Sequence, residues 1–370
     1  MSYGNRGRRV VVTEFGSDPV DAISNHLVIE DQPAPDPSTL APHDVVIEIE
    51  SAAVGWVDLL MSSGQYQHMA SPPYCPGLEY SGRVVWAGPE AKGVAVGDAV
   101  MSDGIVTGPR SLGDYQSYGG FASYAVAPAR AVMPIPSALS FDQACNMSGY
   151  ETAYHCLMHR GQLEAGETVL IHGSTGTTGL AAVQMAKTVG ATVIATGRNP
   201  DKLAVVAEHG ADHVVRVTED DGSPRRFRED IKAITDGRGV DVVYDPVGGP
   251  ISLESLRCVR FGARFLIVGW AATPLVARGK GQRGAPNANV LPTNLIMMKS
   301  LDVRGCPAAI SIAHDPSIRT RRLEQLAVWI EAGSLKPHVS VTYGMDEVRV
   351  ALEAKWRSQH VGCYVLHPKR

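Results

Sequence analysis

Apolar and polar positions change their period twice along the chain. Before about residue 136 the apolar residues fall in short alternating or β-branched runs. Examples are Asp44-Val-Val-Ile-Glu-Ile-Glu50, Tyr80-Ser-Gly-Arg-Val-Val-Trp86 and Phe121-Ala-Ser-Tyr-Ala-Val126. Bounded by Gly and Pro, as at Gly97-Asp98, these predict strands, and Pro134 and Pro136 mark a junction. From Ser140 to about Arg304 short apolar runs alternate with helical patterns. Strands are predicted at Val169–His172, Thr192–Thr196, His213–Val215, Val240–Tyr244, Arg264–Val268 and Leu301–Gly305. Helical patterns such as Asp201–Glu208 and Phe227–Thr235 lie between them. Such alternation predicts an α/β fold with a Rossmann-type, doubly wound parallel sheet beside a mostly β part. After Cys306 come a helix (Ile318–Ala332), an extended segment (Lys336–Thr342), a helix (Asp346–Lys355) and a strand (Gly362–Leu366). These break the alternation and are expected to return to the N-terminal part. The expected divisions are therefore 1–136, 137–308 and 309–370.

One strand-to-helix junction carries most of the chemical information. The apolar run Glu167-Thr-Val-Leu-Ile-His172 is followed by Gly173-Ser-Thr-Gly176-Thr-Thr-Gly179 and at once by a helical pattern. Backbone N–H groups and the positive end of the helix dipole at such a turn favour a phosphate, above all a pyrophosphate. Gly173 lets the chain turn, Gly176 lets a ligand approach the backbone, and Gly179 lets the helix pack on the strand. Ser174, Thr175, Thr177 and Thr178 belong to the same candidate dinucleotide site. The next strand ends in Gly197-Arg198-Asn199-Pro200-Asp201-Lys202 rather than in the acidic residue that binds an unphosphorylated adenine ribose. Arg198 and Lys202 are suited to a 2′-phosphate, which points to NADPH. The turns Asp245-Pro-Val-Gly-Gly249 and Val268-Gly-Trp-Ala271 follow the fourth and fifth predicted strands, where ligands bind in parallel sheets.

Bulk composition narrows the classes of partner. At 370 residues the chain is long enough for two domains, and 44% hydrophobic with 19% charged residues is ordinary globular composition. A net charge of −4 gives no basis for a nucleic-acid or acidic-membrane partner. No apolar stretch reaches the roughly 18 residues of a membrane span. The polar N-terminus has no signal-peptide pattern, and the six cysteines have no pairing spacing, so a reduced, cytoplasmic setting is expected.

Several segments, in order, resemble the zinc-free quinone oxidoreductase branch of the medium-chain dehydrogenase/reductase superfamily. They are Val57-Asp-Leu-Leu-Met-Ser-Ser-Gly-Gln-Tyr66, Pro72-Pro-Tyr-Cys-Pro-Gly-Leu-Glu-Tyr-Ser-Gly82, the glycine turn, His209-Gly-Ala-Asp-His213, Gly239-Val-Asp-Val-Val-Tyr-Asp-Pro-Val-Gly-Gly249 and Pro292-Thr-Asn-Leu-Ile-Met-Met-Lys299. The resemblance implies a GroES-like catalytic domain, a Rossmann NADPH-binding domain and a C-terminal return. It also implies a homodimer paired through edge strands around Leu301–Gly305. Family members use NADPH to reduce quinones or the activated C=C of enones, alkenals and enoyl thioesters. By resemblance, Val247, Gly269, Trp270, Ala271 and Asn294 border the nicotinamide and its ribose, and Thr152 faces the nicotinamide. Tyr66 matches a tyrosine proposed as proton donor in enoyl-reductase relatives; the other reading makes it a loop residue that shapes the pocket. Asp58 either orients a neighbouring group or caps a helix.

Metal is not expected. Where alcohol-dehydrogenase relatives place zinc-binding Cys and His, this chain has Gly55-Trp56-Val57 and Gly77-Leu78-Glu79, and no cluster of four cysteines lies between residues 87 and 125. With no Lewis acid, a quinone or conjugated carbonyl is the better hydride acceptor than a simple ketone. Gly55 stands where the family usually has Asn, which leaves the substrate-carbonyl contacts open. An insertion relative to the family, residues 273–287, adds Arg278, Lys280 and Arg283 beside the expected nicotinamide site. It is read either as a solvated loop or as a contact for an anionic substrate such as a CoA thioester. The expectation is thus a metal-free NADPH-dependent reductase. The alternatives are an enoyl- or acryloyl-CoA reductase and a non-catalytic NADPH-binding protein.

Overall fold

The apolar runs between residues 168 and 305 pair into one six-stranded sheet. A computed structural model describes the chain over residues 6–66, 70–111, 113–273 and 289–370. In chain order the strands of this sheet are Thr168–Ile171, Thr192–Gly197, His213–Arg216, Val240–Asp245, Val259–Ile267 and Asp302–Gly305. All neighbours run parallel, in the spatial order third, second, first, fourth, fifth, sixth. The order reverses between the first and fourth strands, so the carboxyl ends of those two flank the point at which such sheets bind ligands. Val169, Leu170, Ile171, Val193, Ile194, Val242, Val243, Phe265 and Leu266 are fully buried, as parallel strands covered on both faces require. Each large side chain among them contributes about 2 kcal/mol of transfer free energy. The fifth strand begins at Val259, earlier than the alternation suggests. It carries an irregularity: Gly262 has φ +70° and donates its N–H to Lys299 O, and the register against the fourth strand shifts between Val259 and Arg264.

Two compact units result. One holds the described residues up to Met147 together with Pro337–Arg370; the other holds the described residues from Ser148 to Lys336. In the first, the long strand Asp44–Ala53 pairs antiparallel with Tyr80–Ala87, Tyr124–Pro128 and Cys363–His367. Val339–Gly344 runs parallel to Cys363–His367, so the chain from Pro337 onward returns to this sheet. The strand predicted at Phe121–Val126 starts at Tyr124. The residues before it bond to another segment: Phe121 O accepts from Val10 N and Ser123 donates its N–H to Arg8 O, both at 2.8 Å.

The helix Ser317–Glu331 does not join the return that the broken alternation suggests; it stays in the second unit. Its Arg319 donates twice to Glu151, at 2.8 and 2.9 Å, and its fully buried Arg322 lies 3.4 Å from the same carboxylate. Trp329 packs on Tyr154 of the helix Met147–Tyr154. A buried guanidinium needs that carboxylate, so the pairing fixes the helix to its unit.

Candidate active site

The glycine turn is built as its sequence implies. The strand Thr168–Ile171 runs into Gly173 at φ +60°, Gly176 donates its N–H to Gly173 O, and the helix Thr177–Thr188 begins. Gly176 is the N-cap, is exposed, and supplies no side-chain cap to the first amides of the helix. Gly179 is buried against the turn: a Cβ there would lie 2.1 Å from Gly173 O. Ser174 points inward, its hydroxyl donating to Thr196 O at 2.8 Å, and so fixes the turn to the second strand. Thr175, Thr177 and Thr178 are half-buried around it, and Gly149 of the helix Met147–Tyr154 comes close to Thr177. Thr152, three residues further along that helix, is half-buried.

The second strand delivers the basic pair. Gly197 ends it, and Arg198 is exposed and forms no ion pair among the described residues. Asn199 caps the next helix: its Oδ1 accepts from Lys202 N at 3.0 Å, and Asp201 sits in the first turn. Burial, then the charge of Arg198, holds the Lys202 amine below its usual range. A Cβ at Gly197 would lie 3.3 Å from Thr175 Cγ2, so the end of the second strand adjoins the glycine turn.

The turns after the fourth and fifth strands close the group. A Cβ at Gly173 would meet Val247 Cγ2 at 3.4 Å, and one at Gly269 would meet Pro246 O at 3.2 Å. Gly173, Val247 and Gly269 therefore converge, with Trp270 and Ala271 exposed beside them. Asn294 is exposed on the helix Thr293–Met298, which is held to the core by Leu295 and Ile296. Of the basic insertion, only Thr273 is described; Arg278, Lys280 and Arg283 lie outside the described residues.

Sequence reasoning missed the buried polar network beneath these turns. His172 is fully buried, with Nδ1 2.8 Å from Thr196 Oγ1 and Nε2 2.6 Å from Ser255 Oγ. Burial pulls it down to about 4, so the ring is neutral near pH 7. Asp245, Ser252 and Asn289 form a second chain of bonds under the 245–249 turn. The signal for the latter was present in Asp245-Pro-Val-Gly-Gly249, because an Asp followed by Gly two to four residues on favours a side-chain-stabilised turn.

Asp58 and Tyr66 belong to the first unit. Asp58 is buried at the third position of the helix Trp56–Ser62. Its Oδ2 accepts from Gly55 N at 3.0 Å, and its Oδ1 from Gly77 N at 3.0 Å and Leu78 N at 3.2 Å. The carboxylate thus joins the helix start to the 77–78 turn, and Leu78 with Met61 and Val57 packs against Tyr66. Burial pushes Asp58 up to about 7 against the opposing effect of these three N–H donors, and the charge of Glu79 adds to the rise. Between its ordinary 3.8 and about 7, the folded state holds a proton that the unfolded chain has released, so stability falls as pH rises through that window. The thermal midpoint of the wild type is expected to decline relative to that of Asp58→Asn over this range. A constant difference between the two would contradict titration of Asp58 there.

The sheet order, the glycine turn and the basic pair define a nucleotide-binding α/β protein. Residues 41–137 match the alcohol dehydrogenase GroES-like domain and residues 177–310 the zinc-binding dehydrogenase domain. Quinone oxidoreductase-like protein 2 homolog from Nematostella vectensis is 30% identical over 347 residues, which cover 93% of this chain and 86% of that protein. A probable oxidoreductase from Mycobacterium abscessus superposes with a TM-score of 0.78 at 27% identity, covering 98% of this chain and 100% of the other. A mycobacterial protein solved in complex with NADPH gives 0.77 at 25% identity, with 98% and 100% coverage. The chain belongs to the quinone oxidoreductase-like branch of the medium-chain dehydrogenase/reductase superfamily.

One of the two matched domains is named for zinc. Among the described residues no group of three or more His, Cys, Asp or Glu side chains is arranged to hold a metal. Both Asp58 oxygens are occupied by backbone N–H groups. Burial pushes the Cys75 thiol up to about 12, and its Sγ lies 3.5 Å from the Pro76 and Gly119 carbonyl oxygens. No helix among the described residues is long and apolar enough to cross a membrane.

Proposed function

We propose that the chain is an NADPH-dependent reductase that transfers hydride, without a metal, to a quinone or to the activated C=C of an α,β-unsaturated carbonyl. The observation that carries this reading is the helix N-terminus at Gly173, Gly176 and Gly179, without a side-chain cap and beside the segment that carries Arg198 and Lys202. When bound, NADPH supplies a hydride at C4 of its nicotinamide. The glycine turn and the amides of Thr177, Thr178 and Gly179 receive the pyrophosphate, and Arg198 with Lys202 receives the 2′-phosphate. Val247, Gly269, Trp270, Ala271, Thr152 and Asn294 are assigned to the nicotinamide half. An acceptor that already conjugates its carbonyl needs no Lewis acid, so the remaining tasks are positioning and delivery of one proton. Tyr66 is assigned that proton, and Asp58 acts by fixing the backbone against which Tyr66 packs.

The test is oxidation of NADPH, with NADH as control, against 1,4-benzoquinone, 9,10-phenanthrenequinone, a 2-alkenal and crotonyl- and acryloyl-CoA. Turnover of quinones or the alkenal with NADPH is expected. A preference for the CoA thioesters would move the protein to the enoyl reductases, and tight NADPH binding with no turnover would leave a binding protein. The same preparation is expected to have a solution mass of two chains. The strand Asp302–Gly305 ends its sheet, and Met297, Met298 and Phe261 are exposed in the same unit. A mass of one chain would remove the homodimer from this reading.

A further inference from the structure

Asp245 ends the fourth strand of the parallel sheet and is buried to 1% exposure. Its Oδ1 accepts from Val247 N at 2.8 Å and Gly248 N at 2.9 Å, and its Oδ2 accepts from the Ser252 hydroxyl. Asn289 donates through Nδ2 to Ser252 Oγ at 2.8 Å and accepts from Gly249 N at 3.2 Å. Three consecutive amides of the turn, 247 to 249, are therefore consumed inside the protein. Gly248 and Gly249 take φ of +80° and +61°, which only glycine adopts readily, and the turn's donors are already committed. The half-buried Val247 side chain lies against the glycine turn, near Gly173.

The adjoining turn is tied to the same residue. The Asp245 carbonyl accepts from Val268 N at 3.0 Å and Gly269 N at 3.3 Å; Pro246 O accepts from Ala271 N, and Val247 O from Ala272 N. Below, the helix Pro250–Ser255 that carries Ser252 is pinned at its other end by the bond between Ser255 and His172. The buried carboxylate thus holds the 247–248 amides, and the main chain of 245–247 in turn carries the turn after the fifth strand.

We propose that Asp245, Ser252 and Asn289 act as one set of positioning residues for hydride transfer, holding Val247 and the 269–271 turn in place against the nicotinamide. This rests on the reading that these turns border the nicotinamide. None of the three touches the reacting atoms; they act through the backbone of 247–249. Because the phosphates are held elsewhere, at the glycine turn and at Arg198, the set governs the geometry of transfer rather than cofactor affinity. A misplacement of the reacting carbon far smaller than a bond length is felt in the rate.

The test uses the full chain with Ser252→Ala and Asn289→Ala, singly and combined. It measures the NADPH dissociation constant and the rate of NADPH oxidation by a quinone in a single turnover. Each single variant is expected to slow transfer about tenfold while NADPH affinity stays within about threefold. The double variant is expected to be no slower than the slower single, since either change breaks the same chain of bonds. Asp245→Asn, which keeps an acceptor for both amides, should retain more of the rate than Asp245→Ala. A merely structural role would lower the thermal midpoint but leave the single-turnover rate of the folded fraction unchanged, and that result overturns the proposal. So does a double variant in which the two losses multiply in full. Val247→Trp separates this proposal from the reading beneath it. If that variant transfers hydride normally, Val247 does not border the nicotinamide. If it blocks transfer while Ser252→Ala and Asn289→Ala are silent, only the positioning role fails.

Discussion

Gly179→Val is expected to weaken NADPH binding by about two orders of magnitude, equivalent to about 3 kcal/mol. A Cβ at this position would lie 2.1 Å from Gly173 O, 2.7 Å from Gly173 C and 2.8 Å from Ser174 Cα, all main-chain or Cα atoms of the turn itself. None of these is the far end of a flexible side chain, so the strand-to-helix turn must open to admit it. The amides of the helix start then leave the place where the pyrophosphate needs them. Gly176→Ala makes the contrast. There a Cβ meets only Gly173 O, at 3.4 Å, so the fold tolerates it. Gly176 is also exposed, so the added methyl occupies space assigned to the ligand. Calorimetric titration with NADPH and thermal melting of both variants check this pair. Gly179→Val should lose affinity and thermal midpoint together, and Gly176→Ala affinity alone. Wild-type affinity in Gly179→Val would show that the pyrophosphate is not bound at this turn.

Arg198→Ala combined with Lys202→Ala is expected to raise the NADPH dissociation constant roughly 100-fold and to leave that for NADH within about threefold. The sequence after the second strand offers no acidic residue for a ribose hydroxyl and two cations for a phosphate. The structure sets the segment that carries those cations next to the glycine turn, where Gly197 meets Thr175. Two charge-assisted bonds to a doubly charged phosphate at a partly exposed site account for the size of the change. Arg198→Ala alone should produce the larger share, since guanidinium recognises phosphate in a bidentate way. Equal losses for both cofactors would mean that the pair supports the fold of the 197–203 segment rather than reading the 2′-phosphate.

Both effects were legible because their causes are local. A tight turn needs glycine wherever backbone meets backbone, and Gly173, Gly176 and Gly179 announce that in the residue order itself. The six parallel strands were legible for the same reason: residues such as Val169, Ile194 and Val243 are apolar because both faces of the sheet are covered. The residues that escaped notice act at a distance in sequence. Asn289 reaches Ser252 and Gly249 across some forty residues, and Glu151 holds Arg319 and Arg322 across about 170, so the helix Ser317–Glu331 follows that ion pair rather than the alternation of elements. Asp58 reads equally as a cap or as a group that orients a neighbour in sequence. Its three N–H donors show that its first task is to hold Gly55, Gly77 and Leu78 together. The bulge at Gly262 and the late start of the strand at Tyr124 are likewise set by partners, Lys299 in one case and the Arg8–Val10 backbone in the other.

The most direct test of the central claim is the steady-state oxidation of NADPH and of NADH by 9,10-phenanthrenequinone, using metal-free buffer and wild-type protein with and without a chelator. The account predicts turnover with NADPH, a preference over NADH that Arg198→Ala and Lys202→Ala abolish, and no change on chelation. Turnover that needs added zinc, or a preference for NADH, would contradict it.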